Sequence, residues 1–183
     1  MNPEGRRISV LLWTGFCLVA AVAISADRVV AIKAGGFSLT SPAFASNARI
    51  PSQYSCSGAN QSPPLVWRDP PSGASSFALI VRDPDAPNDD FIHWVVFDIP
   101  GDARELKASL GRSGPPKQGT NSFGRVGYDG PCPPPGAVHH YRFQLMALDA
   151  MLGLGSAATA AEIEAKALSH RLANTELVGE FSR

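Results

Sequence analysis

Two short segments carry the residue types most able to do chemistry, and each runs into a strand-like stretch opened by histidine. The first is Asp83-Pro84-Asp85-Ala86-Pro87, six residues before His93-Trp94-Val95-Val96-Phe97. The second is Gly130-Pro131-Cys132-Pro133-Pro134-Pro135-Gly136, just before His139-His140-Tyr141-Arg142-Phe143. With the two strands side by side, two carboxylates, two imidazoles and a phenol converge beneath rigid loops. Proline fixes φ and donates nothing to a ladder, so these loops hold Asp83 and Asp85 in one geometry and leave little entropy to lose on binding. The chemistry open to such a set is capture of a small polar ligand, or acid–base work by an Asp/His pair. Two carboxylates alone would repel an anion. An anion therefore needs donors: His93, His139, the Tyr141 hydroxyl and backbone N–H groups near Gly130.

Other chemistries lack their residues. The chain has no Gly-x-Ser-x-Gly elbow for a nucleophile. Neither His-x-x-x-His nor Cys-x-x-Cys spacing is present, and adjacent His139 and His140 point to opposite faces of a strand, so no metal or cofactor is expected. Cys132, in a proline run, has no activating neighbour beyond the histidines.

Strand periodicity sorts the site residues. Side chains alternate across a strand, so His139, Tyr141, Phe143, Leu145 and Ala147 share one side, and the apolar members mark it as inward. His140 falls on the outer side with Arg142 and Gln144. The same alternation groups His93 with Val95 and Phe97, opposite Trp94 and Val96. Both faces of that strand are apolar, so His93 is buried on either side and needs a partner. Asp83 and Asp85 are the nearest carboxylates in sequence.

The elements that position these residues are mostly short strands between Gly/Pro turns. Phe37–Thr40, Leu65–Trp67, Phe77–Val81, Trp94–Ile99 and Tyr141–Leu148 read as strands, with brief extended pieces near Arg49-Ile50 and Gln53-Tyr54. Ala103–Leu110 reads as a helical turn, and 111–136 as a long loop without periodicity. Thr159-Ala160-Ala161-Glu162 has the form of a capping box, opening a helix whose apolar face is Ile163, Ala167, Leu168 and Leu172. Leu177–Phe181 closes the chain as a last strand. The fold class is all-β with minor α: an antiparallel two-sheet β-sandwich with a C-terminal helix.

Composition narrows the function classes. Arg6-Arg7 followed by the uncharged, mostly apolar run 8–24 reads as an export signal or N-terminal membrane anchor over residues 1–26, with 27–36 as linker and 37–183 as the domain. Without residues 1–26, 14 basic and 15 acidic side chains remain (16 less Arg6 and Arg7; 16 less Glu4), so no basic surface for nucleic acid is expected. Contact with a membrane is expected only through the N-terminal segment. Cys17 lies in that segment, which leaves Cys56 and Cys132 as an even pair. In an oxidising compartment they are a disulfide candidate.

The chain from Phe37 to Arg183 resembles the phosphatidylethanolamine-binding proteins, in their bacterial and archaeal Raf-kinase-inhibitor-like branch. The resemblance rests on Phe37-Ser38-Leu39-Thr40-Ser41-Pro42-Ala43-Phe44, Tyr54-Ser55-Cys56-Ser57-Gly58, Gln61-Ser62-Pro63-Pro64-Leu65, Glu176-Leu177-Val178-Gly179 and the two segments described first. It implies a β-sandwich with one small pocket for phosphate-like anions, walled by Asp83, Asp85, Pro87, His93, Gly130, Pro131, His139 and Tyr141. His140 departs from the family's usual Arg, Ser57 from a usual acidic residue, and Ser122 from Asp in Asn121-Ser122-Phe123-Gly124. The reading is a non-enzymatic exported module that binds a small anion or phospholipid headgroup. The alternatives are a protein-interaction or inhibitor module acting through 111–136, and an enzyme using the Asp/His pair.

Overall fold

A computed structural model describes residues 36–87 and 90–183. The expected signal or anchor over 1–26, and all of the expected linker but Gly36, lie outside the described residues.

Strand β4 (Ser76–Asp83) explains the architecture. All eight of its residues are buried, as a continuous apolar run between turn signals requires of a strand covered on both faces. It lies between β5 (Phe91–Pro100) and β8 (Val138–Leu148), pairing antiparallel with both. The large sheet is completed by β2 (Ala48–Arg49), β7 (Lys117–Gln118) and β9 (Arg171–Ser182), in the order β2-β9-β8-β4-β5-β7. A smaller sheet, β1-β3-β6, consists of β1 (Ser38–Thr40), β3 (Leu65–Arg68) and β6 (Glu105–Leu106).

The two faces of the large sheet bury different cores. Phe77, Leu79 and Val81 of β4, with Tyr141, Phe143 and Leu145 of β8, pack with Leu39, Leu65, Trp67 and Leu106 of the small sheet. On the other face Ala78, Ile80, Val95 and Phe97 pack with Ile163 and Ala167 of helix α1 (Ala160–Ala167). The helix begins where the sequence indicates: Thr159 caps it, and Glu162 completes the capping box.

The structure differs from the sequence reading in four places. The β2–β9 pair is parallel, in a sheet otherwise antiparallel. Segment Ala103–Leu110 is no helical turn: Glu105 and Leu106 pair with β3, which buries Leu106. The helix stops at Ala167, leaving Leu168 72% exposed, and Leu172 belongs to β9. There β9 pairs along the whole of β8, from Val138↔Ser182 to Leu148↔Arg171, and that long ladder overrides a weak helical periodicity. Finally, alternation along β5 is broken. Val81 pairs with Trp94 and Arg82 with Ile92, so His93 is the extra residue of a β-bulge. His93 therefore turns toward Tyr141, ring centroids 5.1 Å apart, and Trp94 and Val96 join the inter-sheet core while Val95 and Phe97 face the helix.

Candidate functional site

The site forms where β4 ends. Pro84 cannot continue the ladder, so the chain turns after Asp83 and leaves a gap between the ends of β5 and β8. The two histidine strands are thus not neighbours; β4 separates them, and its terminal Asp83 sits between His93 and His139. A cavity of about 160 Å³ opens over this point. Its polar floor is Asp83, His93 and His139, buried to 3%, 3% and 7% exposure. Its wall is apolar: Ala86 and Pro87 on one side, Phe91 and Phe123 on another, Cys132, Pro133 and Pro134 on a third.

Hydrogen bonds hold every floor residue: both oxygens of Asp83 are engaged, and each histidine is bound through Nδ1, which leaves its Nε2 in reserve. Asp83 Oδ1 accepts the Asp85 backbone N–H at 2.9 Å, closing the Asp-Pro-Asp turn, and Oδ2 accepts the His139 Nδ1 proton at 2.7 Å. The expected Asp83–His93 pairing does not form. His93 Nδ1 instead donates to the Asp129 carbonyl at 2.7 Å, while Asp129 N–H donates back to the His93 carbonyl at 3.1 Å. Burial lowers the His93 pKa; the Asp129 carbonyl and the Asp83 charge oppose that shift without cancelling it. The ring is therefore neutral near pH 7, with its proton on Nδ1 and a lone pair on Nε2.

Tyr141 lies beneath the floor, fully buried; its hydroxyl meets hydrogen-bond geometry with no group among the described residues, although the Asp83 carboxylate and the Cys132 backbone lie beside it. Burial, with the Asp83 carboxylate adding to it, raises its pKa far above the ordinary phenol value, so it stays an O–H donor.

Asp85 is not part of the floor. Its Oδ2 accepts the His140 backbone N–H at 2.7 Å and the His140 Nδ1 proton at 2.8 Å. Partial burial acts to raise its pKa, but these His140 contacts outweigh it and hold the carboxyl below its usual range. Outward His140, as the alternation placed it, thus anchors the loop that carries Pro87. Gly130 and Pro131 also act from behind the wall. A Cβ on Gly130 would lie 2.2 Å from the Tyr54 carbonyl oxygen, so only glycine allows this approach; its N–H donates to Asn60 Oδ1 at 2.7 Å. The Pro131 carbonyl accepts the Cys56 N–H at 3.0 Å, and Cys56 is joined to Cys132 with Cα atoms 5.4 Å apart. The disulfide and these hydrogen bonds fasten the third cavity wall to the Tyr54–Gly58 segment.

The sequence reading missed the residue that orders the long loop. Asp129, 2% exposed, receives a bidentate Arg125 (3.0 and 2.7 Å), Arg112 at 3.1 Å and Asn121 at 2.7 Å. Asn121 Oδ1 in turn accepts the N–H groups of Phe123 and Arg125, and the Arg125 guanidinium lies 5.3 Å over the Phe123 ring. Through this cluster one carboxylate positions both Phe123 and the carbonyl that orients His93. Phe91 and Phe123, 4.8 Å apart, were also unmarked. No compositional signal marked either feature, because the Arg, Asn and Asp residues of 111–136 are no more frequent than in the rest of the chain.

A family model described as phosphatidylethanolamine-binding protein matches residues 40–182. A UPF0098 protein of Aquifex aeolicus is 44% identical over 149 residues, 78% of this chain and 86% of that protein. A Mycobacterium tuberculosis protein that bears the name lipoprotein LppC is 42% identical over 145 residues, 78% of this chain and 71% of that protein. Among solved structures, Chlamydia trachomatis CT736, described as a homologue of phosphatidylethanolamine-binding proteins, superposes with a TM-score of 0.76 at 36% identity, covering 81% of this chain and 98% of that one. Escherichia coli YbcL, described as a member of the same family, superposes with a TM-score of 0.76 at 31% identity, covering 81% and 99%. With the fold, the Asp-Pro-Asp turn and the Gly-Pro loop, these matches show that the chain belongs to the phosphatidylethanolamine-binding protein family, among its bacterial and archaeal members.

Proposed function

We propose that this protein is an exported binding module whose cavity takes a small phosphate-like anion or a phosphorylated headgroup. One observation carries the reading: His93 Nε2, His139 Nε2 and the Tyr141 hydroxyl have no hydrogen-bond partner among the described residues, on or directly under the floor of one small cavity. Buried polar groups are rarely left unpaired, and a site that leaves several so is one a ligand completes. Proline-rich walls and the disulfide keep that floor in place before the ligand arrives, which lowers the entropy lost on binding. Export is supported by the Arg6-Arg7 and 8–24 pattern and by the lipoprotein name of the mycobacterial relative. Among the described residues no helix is long and apolar enough to cross a membrane.

The Tyr141 hydroxyl supplies the test. Its desolvation is uncompensated in the free protein, so Tyr141→Phe should melt at the same temperature as wild type or higher, by up to about 1 kcal/mol of stability. The same variant should bind phosphate more weakly in calorimetry, having lost a donor. Lower stability with unchanged phosphate affinity would mark the hydroxyl as structural and count against the cavity as a binding site.

A second reading, protein interaction through 111–136, has Phe123 in its favour, 42% exposed at the cavity mouth. An anion on the floor and a partner at the mouth would share the Phe91–Phe123 wall.

A further inference from the structure

The cavity floor has more fixed acceptors than fixed donors. Asp83 is a carboxylate whose two oxygens already accept the Asp85 N–H and the His139 Nδ1 proton, and its remaining lone pairs can only accept. His93 is committed as well: a carbonyl cannot donate, so Nδ1 must carry the proton it shares with Asp129, and in the neutral ring Nε2 is an acceptor. His139 spends its Nδ1 proton on Asp83, so its Nε2 donates only when the ring is cationic. Three wall residues, Pro87, Pro133 and Pro134, have no N–H to offer. The Tyr141 hydroxyl, beneath the floor and beside the Asp83 carboxylate, is the one side-chain donor here that does not depend on the charge of a histidine.

We infer that the cavity selects oxyanions that carry their own proton, namely hydrogen phosphate and the monoanions of phosphomonoesters, over oxyanions of like shape that carry none, namely sulfate and phosphodiesters. The inference rests on the anion-binding reading and gives it a chemical class. A P–OH pointed at Asp83 or at His93 Nε2 makes a charge-assisted or acceptor-matched hydrogen bond. An unprotonated oxygen in the same place meets a lone pair, and a site built to pair a hydroxyl rejects the analogue that lacks it. The diester of a phospholipid headgroup falls on the rejected side.

The pH dependence follows with a definite sign. The groups facing His93 are Asp83 from β4, Tyr141 and His139 from β8, and from the loop the Asp129 carbonyl, the Asp129 carboxylate behind it and the Gly130 backbone, with Phe91 and Phe123 closing the remaining sides. Burial keeps the ring neutral to a lower pH than an exposed histidine. At neutral pH and above, therefore, the ligand must supply the proton. Inorganic phosphate carries one throughout that range, whereas a phosphomonoester loses its last proton near pH 6. Monoester affinity relative to phosphate should then fall about tenfold per pH unit above that point. At acid pH His93 takes up its own proton, and sulfate should approach phosphate.

The experiment is calorimetric titration of the wild-type protein with inorganic phosphate, methyl phosphate, dimethyl phosphate and sulfate, from pH 5 to 8. Ratios of affinities at each pH cancel any protein ionisation common to all four. Phosphate should bind at least about tenfold tighter than sulfate and dimethyl phosphate at pH 7.5, with methyl phosphate close to phosphate at pH 6 and well behind it at pH 8. The phosphate and methyl phosphate arms separate a free anion from an esterified headgroup. Sulfate within twofold of phosphate across the range would overturn the inference while leaving the anion-binding reading intact. Failure of all four to bind would overturn both.

Discussion

The double variant Cys56→Ala/Cys132→Ala is expected to lose about 4 kcal/mol of unfolding free energy, the largest stability effect of any change considered for this chain. The two cysteines are 76 residues apart in sequence, and closing a loop of that length removes conformational entropy from the unfolded chain worth about 4–5 kcal/mol on the chain-entropy model. That figure is an upper bound, because an unfolded chain that keeps residual structure has less entropy for the bridge to remove; in the folded chain three hydrogen bonds join the same segments beside the bridge. They are Cys56 N–H to the Pro131 carbonyl, Gly130 N–H to Asn60, and the Tyr128 hydroxyl to the Tyr54 carbonyl. Set against a typical domain stability of about 5–15 kcal/mol, the loss would leave a marginal fold. Urea unfolding of the variant beside the oxidised wild type measures it. A difference under about 1 kcal/mol would contradict the chain-entropy account and mean that the unfolded chain already keeps these segments close without the bridge. Because Cys132 lines the cavity, the same variant should also bind phosphate less tightly even where it remains folded.

The second large effect is on binding. His139→Ala should weaken phosphate binding by about 1.5–3 kcal/mol, the range for a hydrogen bond to a charged group. It removes the Nε2 that faces the ligand and also releases Asp83 from the bond that holds its Oδ2. His140→Ala is the matched control one residue along. His140 is exposed and does not line the cavity; its bond to Asp85 lies at the surface, where such pairs contribute about 0–1 kcal/mol. The two neighbours should therefore separate by roughly tenfold or more in affinity, and equal effects would place the ligand away from the floor.

What could be read from sequence here follows the range over which its signals act. The alternation His139, Tyr141, Phe143, Leu145 is local, and β8 keeps it without interruption. The capping box is local as well, and α1 begins on it. The position of His93 was not readable in this way, because a bulge adds one residue without any change of residue type. The alternation rule pairs Trp94 with Val96 and Val95 with Phe97 as the structure does, but it groups His93 with the helix-facing pair. The partner of His93 was equally hidden. Asp83 is closer in sequence, but β4 intervenes and gives Asp83 to His139, while the needed acceptor is a backbone carbonyl 36 residues away. The Asp129 cluster gathers side chains from four separate points of an aperiodic region, and no short window contains its logic. Helix α1 ended early for a related reason: β9 had a long partner in β8, and a ladder formed across the chain outcompeted the local pattern.

The central claim is that a phosphate-like anion sits on the floor formed by Asp83, His93 and His139. The chain has four histidines, two on that floor and two away from it, His140 and His170. Imidazole nitrogen spectra recorded during a phosphate titration at pH 7 read all four at once. The predicted result is saturable movement of the Nε2 resonances of His93 and His139 together, with Nδ1 of His93 remaining protonated and His140 and His170 unmoved. Movement confined to His140 or His170, or none at all at saturating phosphate, would contradict it.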